Sequence, residues 1–317
     1  LAARGRQASY PHDMPDVVLA ILPVFLLIFL GTGLKAAAFL TPAFWEGAER
    51  LTYFVLFPAL LVTTLARAQF GDLEVLPMAG AISAAVLAMA AGLLAARPWL
   101  APSRAAFTSL FQGSIRFNTY IGLAAAAGVL GAAGLAAAAV AVALLVPLGN
   151  LLSVAALAWL GTGDRPKSLE VLRQLALNPL ILASVLGIAI NLAGLELPPV
   201  VDPLLTVLGR GALPLGLLAV GAGLDFAAAR LGGRTLALAC VLKLAVLPAL
   251  TALGCWIFGA TGAAAAVAVL FNGLPTAPSA YILARQMGGE AKLMASIITT
   301  QVALSALTLP VLLILMA

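Results

Sequence analysis

Charge is what this sequence has least of. Only 9% of its 317 residues are Asp, Glu, Lys or Arg, against about 25% in a soluble domain. Histidine is scarcer still, with one copy, His12. There is no H-E-x-x-H and no nucleophile–histidine pair within the apolar runs, and "GDRPK" is not a phosphate loop. No enzyme activity, metal site or cofactor is expected. The two cysteines, Cys240 and Cys255, fall 15 residues apart in one expected helix, about 22 Å along its axis and beyond disulfide reach. Both read as packing residues. Short segments of alternating polarity are also missing, which excludes a membrane β-barrel.

Apolar residues fill the space left by charge. They make up 63% of the chain, and the mean hydropathy is +1.12. They come in runs of about 20 separated by short polar loops, the pattern of helices crossing a bilayer core roughly 30 Å thick. The reading is an all-α polytopic membrane protein whose surroundings are the lipid bilayer. Ten spans are expected, at 16–36, 44–66, 75–96, 106–130, 134–160, 171–193, 200–222, 234–256, 262–287 and 291–315. Residues 1–13, "LAARGRQASYPHD", resemble neither a span nor a clean signal peptide. They read as an extension ahead of a start at Met14.

The net charge of +5 is spread over loops with no basic patch, so no nucleic acid is implied. Its distribution orients the chain instead. Loops after the odd-numbered spans hold Lys35, Arg50, Arg97, Arg104, Arg165, Lys167, Arg173, Arg230, Arg234, Arg285 and Lys292. The opposite side holds Arg67, with Arg4 and Arg6 in the extension. By the positive-inside rule the odd loops are cytoplasmic and both termini lie outside, in a multi-pass protein of the inner (plasma) membrane.

The polar segment 161–170 divides the chain into a five-span half at 14–160 and another at 171–317. With five spans each, the second half is inverted relative to the first. Pro58 and Pro214 sit mid-span in the second and seventh spans. "GSIRFNTYIG" (113–122) in the fourth corresponds to "GLPTAPSAYI" (273–282) in the ninth. Proline costs a helix interior about 3 kcal/mol and glycine about 1. Breaks at membrane depth persist where protein or a water-filled cavity satisfies the freed backbone. Two in matching positions of inverted halves point to a transport site near the midplane.

Three cations fall inside spans, namely Arg116, Arg210 and Lys243, and no acid does so at depth. An anionic substrate would supply the missing counter-charge. Arg116 lies at the fourth-span break and either reaches the site or snorkels to the cytoplasm. Lys243 is a substrate or coupling group, or a donor to carbonyls freed at a break. Arg210 reads as snorkelling outward. Asn118, Thr119, Asn272, Thr276, Ser279 and Gln301 gather polar groups around the breaks.

Several stretches then carry a resemblance: "LPVFLLIFLGTGLK", "FWEGAERLTYFVLFPALL", "RFNTYIGLA", "VLKLAVLPAL", "LPTAPSAYILARQMGG" and "TTQVALSALTLPVLL". In order and spacing, nearly the whole chain from Met14 resembles the auxin efflux carrier family. That family includes bacterial transporters and is related to plant auxin carriers and bile-acid sodium symporters. The resemblance implies two inverted five-helix repeats, with a scaffold part and a transport part, and broken fourth and ninth helices that cross beside the substrate. Its Asn-Thr motif matches Asn118 and Thr119, and its ninth-helix prolines match Pro275 and Pro278. Many relatives have a proline shortly after Asn-Thr, where this chain has Gly122, Leu123 and Ala124. The expectation is a secondary carrier of small mono- or dicarboxylates. Its expected binding residues are Arg116, Asn118, Thr119, Lys243, Asn272, Pro275, Thr276, Pro278 and Ser279. A sodium-coupled symporter of the bile-acid type and a membrane sensor or channel are the alternatives. The coupling ion, sodium or proton, and a homodimeric state stay open.

Overall fold

Caps and prolines cut the chain into helices. In the computed structural model, residues 14–68, 74–161, 173, 176–229 and 233–316 are described. Residues 1–13, positions 162–170 of the linker, Arg165, Lys167 and Arg230 lie outside them. The helices are α1 (Met14–Ala36), α2 (Pro42–Ala66), α3 (Val75–Leu100), α4 (Arg104–Ile115), α5 (Thr119–Leu160) and α6 (Pro179–Leu192). They continue with α7 (Val201–Ala222), α8 (Phe226–Ala229), α9 (Arg234–Phe258), α10 (Gly262–Gly273), α11 (Ser279–Gln286) and α12 (Ala291–Leu315). Side-chain oxygens of Thr41, Ser103, Asn118 and Asn178 cap α2, α4, α5 and α6, each satisfying N–H groups that the first turn leaves unpaired. Gly259, at φ 73°, ends α9 in the left-handed conformation.

Among the described residues, seven stretches are long and apolar enough to cross a membrane, one of them running from Arg104 to Leu160. That stretch does not run straight. Gly131 has φ 60° and ψ −144°, a backbone conformation open mainly to glycine. Thr119 and Asn150 line one cavity although 31 residues separate them, about 46 Å in a straight helix. The chain therefore folds back at Gly131, so the turn expected at 131–133 is made around one glycine.

Helix α9 and helix α2 each contain a π turn, at Leu242–Val246 and Thr52–Leu56. Each lies just before a proline, Pro248 and Pro58. A proline ring presses on the carbonyl four residues back, and a wider turn relieves that clash. The second residue of each π turn is polar: Tyr53 in α2 and Lys243 in α9.

Packing falls into two groups. Helices α1, α2, α6 and α7 pack most extensively on one another, and α3, α4, α5, α9, α10, α11 and α12 do likewise. Within the first group the backbones touch. A Cβ on Gly221 would stand 1.8 Å from Ile28 O, and one on Gly31 would stand 2.1 Å from Leu218 O. Outward faces are apolar, with Leu19, Leu26, Leu186, Val207 and Trp256 exposed, as lipid contact requires. At one end Arg67 pairs with Asp202 and Glu74 binds Thr261. At the other, Glu290 N–H donates to Ala105 O and Ser109 donates to Glu290 O.

Candidate functional site

Helix α4 stops at Ile115, and residues 116–118 are non-helical before α5 begins. Arg116 (φ −78°, ψ 157°) and Asn118 (φ −92°, ψ 102°) are extended. Helix α10 likewise stops at Gly273, and α11 starts at Ser279. Leu274 is extended (φ −67°, ψ 149°), as a residue before proline tends to be. The breaks expected from sequence are therefore both present.

Named side chains hold them together. Thr276 Oγ1 donates to Gly113 O at 3.0 Å. Gln301, fully buried on α12, accepts from Thr276 N–H at 2.9 Å and donates to Gly113 O at 2.8 Å and Ala239 O at 3.1 Å. Its one amide thus joins the second break, the end of α4 and helix α9. Gly122 admits Leu274 and Phe271, since a Cβ there would meet them at 2.5 and 2.9 Å. The start of α5 is here a contact surface between the two broken helices. Phe117 and Phe271 pack with ring centroids 5.7 Å apart.

A cavity of about 70 Å³ opens beside the breaks, room for on the order of five waters. Arg116, Phe117 and Thr119 line it from the first break, and Ala277 and Ser279 from the second. Tyr53 of α2, Leu180 of α6 and Asn150 of α5 close it, so its wall draws on both packing groups. Arg116 Nη2 donates to Ser279 Oγ at 3.1 Å, while Nη1 is shut from solvent without a partner. Tyr53 accepts from Asn178 Nδ2 at 3.0 Å. The first residues of α5 and α11, Thr119 and Ser279, both stand at the cavity. Helix N-termini carry partial positive charge and unpaired N–H groups. The guanidinium stands beside them, so positive charge and hydrogen-bond donors converge on this wall.

The expected residues divide by place. Arg116, Thr119 and Ser279 line the cavity. Asn118 does not. Its Oδ1 caps α5 through Tyr120 N–H (3.1 Å) and Ile121 N–H (3.3 Å), and its buried Nδ2 is unpartnered. Thr276 is buried in the bonds to Gly113 and Gln301, and Asn272 donates to Thr251 Oγ1 at 2.8 Å. Pro275 and Pro278 shape the second break and supply no donor. Lys243 is fully buried in α9, away from the cavity lining. Arg210 is exposed on α7. Sequence reasoning missed Tyr53, Asn150 and Leu180, whose positions follow from packing between distant helices. It also set acids aside, yet Glu49 is half-buried one turn before Tyr53, about 6 Å along the axis.

Apolar helices with two mutually bonded breaks beside a polar cavity define a polytopic membrane protein with an internal site. Comparison with known proteins adds what the chain is similar to. A family model described as "Membrane transport protein" matches residues 165–313. An "Uncharacterized transporter" of Methanothermobacter thermautotrophicus is 26% identical over 299 residues, covering 92% of this chain and 95% of that protein. Over most of its length the chain is thus similar to a transporter, and its second half to membrane transport proteins.

Proposed function

We propose that this chain is a secondary carrier of small organic anions, mono- or dicarboxylates, working by alternating access at the paired breaks. Its ten passes form two inverted five-helix halves in which the broken helices cross. The observation that carries the substrate class is the wall of the 70 Å³ cavity, where Arg116 stands between the N-terminal ends of α5 and α11. A carboxylate there would replace the missing partner of the guanidinium, and a planar fork suits a planar carboxylate. Thr119, Ser279 and Tyr53 would supply further hydrogen bonds.

The wall also supports the mechanism. Tyr53 and Leu180 belong to the group of α1, α2, α6 and α7, whereas Arg116, Thr119 and Ser279 belong to the other group. Sliding one group against the other would open the cavity to each side in turn. The carrier lies in the inner (plasma) membrane with Arg97, Arg104, Arg234 and Arg285 facing the cytoplasm and both termini outside.

The test is uptake of radiolabelled carboxylates into proteoliposomes, with counterflow. Saturable uptake accelerated by internal unlabelled substrate is expected. In Arg116→Gln it should fall at least tenfold, with Arg116→Lys intermediate. Uptake that saturates for no carboxylate, or an Arg116→Gln variant with unchanged KM and rate, would refute the assignment.

A further inference from the structure

Lys243 is fully buried and its Nζ has no hydrogen-bond partner. The chemistry of its surroundings is unusual. The π turn that carries it packs against the rest of α9 and against α4, α10 and α12. None of these four helices contains an Asp or a Glu. A buried ammonium without any counter-charge is costly enough to need an explanation.

The helix ends supply one. Ala239, one turn before Lys243, lies against the end of α4. A Cβ on Gly113 would sit 3.7 Å from Ala239 Cβ, and Gln301 bridges Gly113 O and Ala239 O. On the other side of the π turn, Pro248 and Thr251 lie against the end of α10. A Cβ on Gly273 would sit 3.6 Å from Pro248 Cβ, and Asn272 bonds Thr251. Lys243 therefore stands on α9 between the C-terminal ends of both interrupted helices. Each such end carries about half a negative charge and carbonyls the helix no longer uses. Two ends add up to roughly one unit, which one ammonium matches. Two buried acceptors in the same region, Gln112 Oε1 and Asn272 Oδ1, also lack partners.

We propose that Lys243 is a resident cation, an ammonium built into the chain that neutralises the paired C-terminal ends of α4 and α10 in place of a free monovalent cation. It separates the charges of the two breaks, with N-terminal ends and Arg116 facing the substrate and C-terminal ends facing Lys243. The wild-type protein then needs no sodium to hold the breaks together. This deepens the carrier reading, but its test needs no transport substrate and so fails or succeeds separately.

The experiment is the melting temperature of purified protein without substrate, in sodium, ethylammonium or choline chloride at equal ionic strength. Choline is too large to enter the space a lysine leaves. Wild type should melt at the same temperature in all three. Lys243→Ala should melt lower in choline and recover at least half of the loss in sodium or ethylammonium. Lys243→Arg and Lys243→Met cover the case in which the alanine variant does not fold. Arginine should stay within a few degrees of wild type, and methionine should fall well below it. A methionine variant as stable as wild type, a wild type stabilised by sodium over choline, or an alanine variant whose loss no small cation repairs would overturn the proposal.

Discussion

A single amide does the most to define the paired breaks. Gln301 uses both ends of its carboxamide, accepting from Thr276 N–H and donating to Gly113 O and Ala239 O. In Gln301→Leu the Thr276 N–H would be left buried and unpaired, a loss of about 1–3 kcal/mol. The expected result is a lower melting temperature together with weaker transport, because the second break loses its tie to α12. Gly113 O keeps the Thr276 hydroxyl, so the fold should survive. At this scale the sequence was partly legible. Arg116, Thr119 and Ser279 stood out as polar residues at expected breaks, and they do line the cavity. Asn118 and Thr276 stood out for the same reason, yet the Asn118 Oδ1 and the Thr276 hydroxyl are spent on capping and bracing. Residue type and spacing do not tell a group that faces a cavity from one that closes the backbone beside it.

Among the elements, the interruptions were the most legible feature, because glycine, asparagine and proline act locally. Pro275 and Pro278 remove N–H groups, and Asn118 caps whatever helix follows it. The π turns were not legible as such. Pro58 announced a disturbance in α2, but only the folded helix puts Tyr53 at the cavity. Gly122 is a further case, since its lack of a side chain matters only because Leu274 and Phe271 lie against it. Alanine there meets the ends of side chains that can shift. Gly122→Ala should therefore be tolerated with a small loss of stability. Gly122→Val should press the broken helices apart, costing about 1–3 kcal/mol and lowering the transport rate, as parallel thermal-melt and uptake assays would reveal.

Over the whole molecule, close contacts distinguish the two packing groups. Gly209 lies against Leu60 within one group, with a Cβ-to-Cβ approach of 3.4 Å. Gly128 of α5 lies across the boundary against Ala20 of α1, at 2.9 Å from its carbonyl oxygen. If the groups slide, cross-linking the second pair as Ala20→Cys/Gly128→Cys should stop transport reversibly. Cross-linking Leu60→Cys/Gly209→Cys should leave it running, with the reduced forms of both as controls. The grouping of helices was not legible in any one span, because apolar runs look alike until their small residues find partners. Gln301 has one more consequence at this scale. If the chain works as the carrier proposed above, a brace that clamps both interruptions to one another would keep the ligand's berth the same shape wherever in the membrane it travels. The rank order of competing anions, measured from the inside and from the outside of vesicles, should then coincide.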